Sequence, residues 1–273
     1  MKKIGFIGAG SIADSLLTGF INKNLVTSEN LIISNRQNLD RLQYFEETFQ
    51  CRTTQSKQEV MEKSEIVFLL MKPKDAKQSL QELSPFIKKT HIFVSVIAGL
   101  EISSIKEFLR TNNSIIRVMP NTSASIGLAA TAMCACSHTD EQTYAYIVEL
   151  FQSVGYVAQV EEKHMNAVTG LSGSGPAFLY YFVEGMLESG IKLGLDKTTT
   201  QELVYQTILG AAHMLSESQK SPQILRKEVT SPNGTTQAGL EVLDKYDFHK
   251  AINSCITRAT ERSKELSKAV SED

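Results

Sequence analysis

The chain has 273 residues, of which 42% are hydrophobic and 21% charged, and this size and balance favour two packed domains. A formal net charge of -2 leaves no basic excess to neutralise phosphates, which argues against nucleic acid or a membrane surface and favours a small-molecule ligand. No apolar run approaches the roughly 20 residues that a membrane-spanning helix needs. Four cysteines lack the spacing of a zinc or redox site and indicate reduced thiols in the cytoplasm: Cys51, Cys134, Cys136 and Cys255.

The chain opens with a short apolar segment followed at once by a glycine-rich turn. Ile4-Gly5-Phe6-Ile7 predicts a buried strand, and Gly8-Ala9-Gly10-Ser11-Ile12-Ala13 ends it and begins an amphipathic helix. In this G-x-G-x-x-A pattern Gly8 makes the tight turn, Gly10 lets backbone approach a pyrophosphate, and Ala13 lets the helix pack on the strand. The N–H groups at the start of the helix then face the phosphates. The pattern predicts a dinucleotide-binding unit.

The second predicted strand, Asn30-Leu31-Ile32-Ile33-Ser34, indicates which dinucleotide binds. An acidic residue at its end would bond the ribose hydroxyls of NAD, whereas a basic one accommodates the 2′-phosphate of NADP. The residues there are Ser34, Asn35 and Arg36, without a carboxylate. Because a guanidinium meets phosphate oxygens with two parallel bonds, NADPH is favoured as the cofactor and NADH is the weaker alternative. The other interpretation is that Arg36 is only a solvated loop charge.

Further apolar runs follow in strand and helix alternation: Ile66–Leu70, His91–Val96 and Ser114–Met119. Such runs, separated by helix-length segments, are typical of a doubly wound, mostly parallel sheet. Ligands of these sheets bind beyond the carboxyl ends of the strands. The loops at those ends are Met71-Lys72-Pro73, Ala98-Gly99 and Pro120-Asn121. Lys72 is either a cofactor contact or a solvated charge, and the alanine-rich segment around Cys134 predicts another strand.

Beyond Val160 the pattern changes to helical periodicity, with no convincing strand from Lys163 onward. Helices are predicted to begin at Gly175-Pro176, Asp196 to Thr200, Ser221-Pro222, Thr236 and Phe248. The first two are apolar around much of their circumference, and a helix of that kind must be buried. A second copy of the chain would bury them, which predicts an obligate homodimer. We therefore expect a dinucleotide-binding domain at 1–161 and an all-α dimerisation domain at 162–273.

Two turns in the C-terminal half combine small residues with hydroxyls at predicted helix starts. They are Ser172-Gly173-Ser174-Gly175-Pro176 and Thr230-Ser231-Pro232-Asn233-Gly234-Thr235-Thr236. Backbone N–H donors at such a place could bind an anion, for example a substrate carboxylate. Capping of the helix without any ligand is the alternative, since Ser and Thr are the ordinary capping residues.

The residues of these two turns, with their neighbours, resemble pyrroline-5-carboxylate reductase. The likeness covers AVTGLSGSGPA at 167–177, Leu225-Arg226 leading into VTSPNGTTQAG at 229–239, and RSKEL at 262–266. It also includes the glycine turn, Lys72-Pro73 and RVMPNT at 117–122, and so runs over nearly the whole chain. The threonine-rich loop is its most specific part.

The resemblance implies a Rossmann domain followed by a helical dimerisation domain, and reduction of 1-pyrroline-5-carboxylate to L-proline by NADPH in proline biosynthesis. Family cofactor contacts would fall on Gly8, Ala9, Gly10, Ser11, Ile12, Ser34, Asn35, Arg36, Leu70, Met71, Lys72, Pro73, Val96 and Ala98. Substrate contacts would fall on Glu162, Ser231, Gly234, Thr235 and Thr236. It further implies that the partner subunit completes each site of a homodimer or larger oligomer.

The implied chemistry suits these residues, because a protonated cyclic imine is already electrophilic and mainly needs to be held against the hydride donor. Thr236 would then act as a hydrogen-bond partner to the ring nitrogen rather than as a strong acid. The five histidines share no ligand spacing, so no metal is expected.

Two alternatives stay open. Departures from the family pattern, such as Ser11-Ile12 where Asn-Met is usual, fit a divergent homologue that binds NADPH but is weakly active or regulatory. A β-hydroxyacid dehydrogenase would need a lysine on the helix after the small-residue turn, and that helix has none before Lys192.

Overall fold

The computed structural model describes residues 2–272, with side chains described as far as residue 268. Its strands are β1 Ile4–Ile7, β2 Leu31–Ser34, β3 Arg52–Thr54, β4 Ile66–Leu69, β5 Ile92–Ser95, β6 Ser114–Met119, β7 Ala129–Ala135 and β8 Gly155–Gln159. They form one eight-stranded sheet in the order β3-β2-β1-β4-β5-β6-β7-β8. Neighbouring strands are parallel except for β6 and β7, which are antiparallel.

Helices cover both faces of this sheet. They are α1 Ser11–Asn22, α2 Leu39–Phe49, α3 Lys57–Lys63, α4 Ala76–Leu83, α5 Ile102–Leu109 and α6 Glu141–Gln152. Successive side chains of a strand point to opposite faces, and in β4 Phe68 belongs to one apolar cluster while its neighbours Val67 and Leu69 belong to another. Burial on both sides explains why the central strands are apolar throughout.

From Met165 to residue 272 the regular elements are all helical. They are α7 Met165–Val168, α8 Gly175–Lys192, α9 Lys197–Glu217, α10 Pro222–Glu228, α11 Thr235–Lys245 and α12 Phe248–Glu272. The predicted caps are present, since Asp196 accepts the N–H of Thr199 at 3.0 Å and Ser221 accepts that of Ile224 at 3.3 Å. A doubly wound, mostly parallel sheet followed by a helical region confirms the predicted fold class.

Three strands of the sheet, β3, β7 and β8, were missed or only partly indicated by the apolar runs of the sequence. β3 is a short edge strand, Arg52-Thr53-Thr54, without the apolar signal of a buried strand. β7 is rich in alanine, a residue depleted in strands, and only its end around Cys134 was predicted. β8 is the opposite edge, and its Tyr156 is 72% exposed. Edge strands gain less from apolar side chains, so periodicity indicates them poorly.

The chain packs into two compact units. One contains the residues up to Pro176 together with those from Thr257 onward, and the other is Ala177–Ile256. The predicted domain boundary between residues 161 and 162 stays a prediction. Within residues 2–272, no helix has the length and apolar character needed to cross a membrane.

Candidate active site

The turn between β1 and α1 requires glycine at position 8. Gly8 has a φ of 120°, in the left-handed region that side chains disfavour, and its N–H donates to the carbonyl of Ser34 at 3.0 Å. A Cβ at this position would lie 2.8 Å from the carbonyl oxygen of Leu70. Gly8 therefore lets β1 turn sharply while the ends of β2 and β4 remain beside it.

Gly10, by contrast, faces open space. It is the N-cap of α1, no side chain caps the helix, and a Cβ built on Gly10 would meet nothing within 4 Å. The opposite side of the helix is packed, because Ala13 and Leu16 are fully buried. The first N–H groups of α1 are therefore available to a ligand, and backbone of this kind is suited to a phosphate.

In the loop after β2, two residues fix the backbone and a third is exposed to solvent. Ser34 is buried and its hydroxyl donates to the carbonyl of Phe6 at 3.2 Å, while Oδ1 of Asn35 accepts the N–H groups of Gln37 and Asn38. These bonds fix the shape of the loop. Arg36 is exposed, and its guanidinium makes no hydrogen bond or ion pair within residues 2–272. It is the charged side chain of this loop that no hydrogen bond fixes, although its charge also helps to lower the pKa of Glu82.

The other predicted cofactor residues lie along the same edge of the sheet. The N–H of Leu70 donates to Ile7 at 3.0 Å and that of Val96 donates to Leu69 at 3.1 Å, so the ends of β1, β4 and β5 are adjacent. Lys72 is exposed at the start of a short 3-10 turn, Pro73–Asp75. The carboxyl edge of parallel strands is where ligands of doubly wound sheets bind.

Two other segments singled out from the sequence have structural tasks. The side chain of Asn121 donates to the carbonyl of Ser172 at 3.1 Å and holds its own loop to the start of the helical region. Thr169–Gly173 is a π-helical turn leading into α8, and the N–H of Ser174 already donates to Thr169 at 2.9 Å. The N–H of Ser174 is therefore engaged in a helical bond, while binding of an anion by the rest of the turn at 172–176 stays one of the two alternatives.

The threonine-rich loop leaves the N–H donors at the start of α11 free. Gly234 is the N-cap of α11 without a capping side chain, and its N–H donates to Ser231 at 3.0 Å in a tight turn that includes Asn233 at a φ of 58°. Within the described chain, the N–H groups of Thr235 and Thr236 and the Thr236 hydroxyl have no hydrogen-bond partner. This helix start can bind a carboxylate.

Glu162 belongs to the other compact unit, and hydrogen bonds hold its half-buried carboxylate. Its Oε1 accepts the N–H of Ile102 at 2.7 Å and lies 3.3 Å from Nη1 of Arg117. Arg117 is only 2% exposed, so its charge needs this partner. The sequence carried a signal for the pair, a lone arginine inside the apolar strand β6, which our prediction used only as part of a family-like segment.

A second arginine was missed altogether. Arg41 in the first turn of α2 donates to the carbonyl of Ala9 at 2.9 Å and to Asp14 at 2.7 Å. In the sequence it is an ordinary charge on an amphipathic helix, and no spacing rule connects it to the glycine turn. Only the packing of α2 beside α1 reveals the contact.

An open glycine turn at the carboxyl edge of a doubly wound sheet defines the class of protein, a nicotinamide-dinucleotide oxidoreductase with a helical second part. Among the described residues, no cluster of His, Cys, Asp or Glu could hold a metal ion.

Comparison with known proteins narrows that class. Residues 162–266 match the family described as pyrroline-5-carboxylate reductase dimerisation, and residues 3–99 match that of NADP oxidoreductase, coenzyme F420-dependent. Pyrroline-5-carboxylate reductase 2 of Bacillus subtilis is 41% identical over 97% of this chain and 95% of its own length. The Arabidopsis thaliana enzyme is 37% identical over 98% of this chain and 96% of its own.

Two solved structures resemble this chain over nearly its full length. The NADP-bound pyrroline carboxylate reductase of Plasmodium falciparum has a TM-score of 0.89 and 29% identity, covering 97% of this chain and 98% of its own. The Coxiella burnetii pyrroline-5-carboxylate reductase has the same TM-score and coverage with 33% identity. The chain belongs to the pyrroline-5-carboxylate reductase family, and its dimerisation region makes it a homo-oligomer.

Proposed function

We propose that this chain reduces 1-pyrroline-5-carboxylate to L-proline with a hydride from NADPH, the last step of proline biosynthesis. The observation that carries the proposal is the full-length match to reductases of this name at up to 41% identity. The free N–H groups of the glycine turn and of the threonine-rich loop support it, because each reaction partner carries an anionic group that such donors bind.

The N-terminal unit fits NADPH. The open space at Gly10 and the uncapped start of α1 suit a pyrophosphate, and the exposed Arg36 guanidinium suits the 2′-phosphate. The remaining residues in this role are Gly8, Ala9, Ser11, Ile12, Ser34, Asn35, Leu70, Met71, Lys72, Pro73, Val96 and Ala98. NADPH supplies the hydride, and NADH is the weaker alternative.

The threonine-rich loop and Glu162 are proposed to hold the imine. The N–H of Thr235 would bind the substrate carboxylate, with Ser231 and Gly234 shaping the loop around it. The Thr236 hydroxyl would accept a hydrogen bond from the protonated ring nitrogen, keeping the charged imine oriented for hydride attack at C5. Glu162 would border the ring, and its bonds to Ile102 and Arg117 fix its carboxylate.

The oligomer is proposed to be a homodimer or a larger assembly of dimers, in the cytoplasm. Residues 1–161 would form its NADPH-binding domain, and residues 162–273 would form its dimerisation and substrate domain. The apolar side chains exposed along α8 and α9 support this division, because only another chain can cover them.

The direct test follows the loss of nicotinamide absorbance with NADPH, or NADH, and racemic 1-pyrroline-5-carboxylate. Proline should form in step with oxidation of NADPH, faster than with NADH. NADPH binding without turnover would instead favour the divergent or regulatory homologue, and absence of NADPH binding would contradict the proposal.

Thr236→Ala is the variant that tests the substrate loop. Loss of a hydrogen bond to a charged group should lower kcat by about 10-fold or more, while the Kd for NADPH stays unchanged. Thr236→Ser is the matched control, because it keeps the hydroxyl and should retain most of the turnover. Unchanged turnover in Thr236→Ala would remove this residue from the mechanism.

A further inference from the structure

Arg41 makes more contacts than a surface arginine usually does. Its Nε donates to the carbonyl of Ala9 at 2.9 Å and its Nη2 donates to Oδ2 of Asp14 at 2.7 Å. The guanidinium also lies over the rings of Tyr44 and Phe45, at 4.3 and 4.8 Å from their centres. Two bonds and two ring faces therefore hold it in one orientation.

The bond to Ala9 controls the orientation of the glycine turn. A trans peptide is planar, so the carbonyl of Ala9 and the N–H of Gly10 point in opposite directions. Because Arg41 holds this carbonyl toward α2, the N–H of Gly10 is turned away from α2. A Cβ at Gly10 would meet nothing within 4 Å, so packing at that residue adds little restraint to the one that the bond supplies.

The bond from Arg41 to Asp14 neutralises a carboxylate that would otherwise weaken phosphate binding at the start of α1. Asp14 lies in the first turn of α1, and a free carboxylate there would repel a phosphate at the same helix start. Oδ2 of Asp14 is bound by Arg41, and Oδ1 accepts the hydroxyl of Tyr44 at 3.3 Å. The side chains of the ion pair are about three-quarters buried, so solvent screens them less than a fully exposed pair.

We infer that Arg41 is a positioning residue for dinucleotide binding: it orients the Ala9–Gly10 peptide and cancels the charge of Asp14, without contacting the 2′-phosphate. The inference rests on the proposed use of a nicotinamide dinucleotide. The two arginines would then have different roles. Arg36 would bind the 2′-phosphate, which only NADPH carries. Arg41 would orient the turn that binds the pyrophosphate, a group that NADPH and NADH share.

The test measures the Kd of NADPH and of NADH by calorimetry, so that it reads binding and not turnover. Arg41→Met keeps the stem over the aromatic rings and removes both bonds. The Kd of both cofactors should rise by a similar factor, about 10-fold or more, leaving their ratio unchanged. Arg36→Met should raise the Kd of NADPH alone. Arg52→Met, which removes an exposed ion pair with Glu59, is the control and should change neither.

Rescue variants separate positioning from general stability. Arg41→Lys keeps a positive charge near Asp14 and should lie between the wild type and Arg41→Met. Adding Asp14→Asn to Arg41→Met removes the uncompensated carboxylate and should recover part of the affinity. In the ligand-free protein, hydrogen exchange of the Asp14 amide, which donates to the Gly10 carbonyl at 3.2 Å, should be faster in Arg41→Met, while that of the β4 amides is unchanged.

Two results would overturn the inference. One is an unchanged Kd for both cofactors in Arg41→Met, with unchanged exchange at the turn. The other is weakening of NADPH alone, which would make Arg41 a direct contact to the 2′-phosphate. Failure of the wild type to bind either cofactor would refute the proposed function, and the hydrogen-exchange comparison would still test the role of Arg41 in orienting the turn.

Discussion

Gly8 and Gly10 stand two residues apart and have different reasons to be glycine. At Gly8 both a φ of 120° and the nearby Leu70 carbonyl oppose a side chain. At Gly10 the backbone, with φ -84° and ψ -174°, accepts any residue and the space is open. The first glycine therefore serves folding, whereas the second leaves room for a ligand.

Alanine at each position should separate these effects. Gly8→Ala should lower the free energy of unfolding by about 1–3 kcal/mol, because strain and a close contact are introduced together. Gly10→Ala should leave the free energy of unfolding within about 0.5 kcal/mol of the wild type and raise the Kd for NADPH about 10-fold or more. Urea unfolding and calorimetric titration measure the two quantities.

The comparison has a built-in check, since each variant serves as the control for the other. A stable Gly8→Ala protein would show that the turn can relax around Leu70. An unchanged Kd for NADPH in Gly10→Ala would mean that the pyrophosphate does not approach this backbone, and the proposed cofactor site would be wrong.

Residues that follow local rules could be predicted from the sequence. Gly8 has a structural role set by its position in one turn, and the roles predicted for Gly10 and Arg36 likewise depend on their position in that turn or at one strand end. Arg41 and Arg117 could not be assigned, because each depends on a partner distant in sequence, Ala9 in one case and Glu162 in the other. The spacing of residues along the sequence does not reveal contacts of this kind.

Secondary-structure elements were likewise predictable where local sequence determines them and unpredictable where tertiary contacts do. β1, β2 and β4 are buried over their whole length, so their apolar runs predicted them. β3 and β8 lie at the two edges of the sheet, where backbone pairing with one neighbour is enough to form a strand. Ser172 and Gly173 of the small-residue turn at 172–176 already belong to a π-helical turn. Glycine and serine favour irregular turns locally, so tertiary context sets this helical conformation.

His91 joins three segments around β5 and makes the fold sensitive to pH. Its Nδ1 accepts the N–H of Lys88 at 3.0 Å, so Nε2 carries the proton and donates to Met61 at 2.9 Å. Burial lowers the pKa of His91 below its ordinary 6.5. A second proton would go to Nδ1 and break the bond to Lys88.

The sign of the effect follows from this lowered pKa. Below about pH 6.5 the unfolded chain takes up a proton at this residue more readily than the folded one, so stability is full above that pH and falls as pH drops toward the folded pKa. His91→Gln should cost about 1–2 kcal/mol at neutral pH, since buried bonds are lost, and flatten the fall in stability on acidification.

Urea unfolding at about pH 7.5 and about pH 5.5 measures this difference. His138→Gln is the matched control, because its side chain is exposed and its substitution removes a histidine without touching a buried bond. An equal acid-induced loss of stability in His91→Gln and in the wild type would exclude His91 as its source.

The C-terminal helices cannot be stable as they stand in one chain. α8 buries none of its residues and α9 buries only Thr200 and Val204. Tyr181 is 79% exposed and Leu193 is 84% exposed, and both line an apolar groove of about 630 Å³ together with Phe248. The dimerisation family that matches this region explains the arrangement, because a partner chain completes the core that one chain lacks.

A charge in this groove should therefore disrupt assembly. Leu193→Glu would place an uncompensated carboxylate in the interface and lose burial that contributes about 1.5–3 kcal/mol for each large apolar side chain. Light scattering after size exclusion should give at least twice the mass of one chain for the wild type. For Leu193→Glu the mass should shift toward that of a single chain, with a lower unfolding midpoint.

Leu39→Glu is the control, because it adds the same charge at a leucine that is 59% exposed in the N-terminal unit, and it should keep the wild-type mass. Retention of the full mass by Leu193→Glu across dilution would mean that this groove is not where the two chains meet.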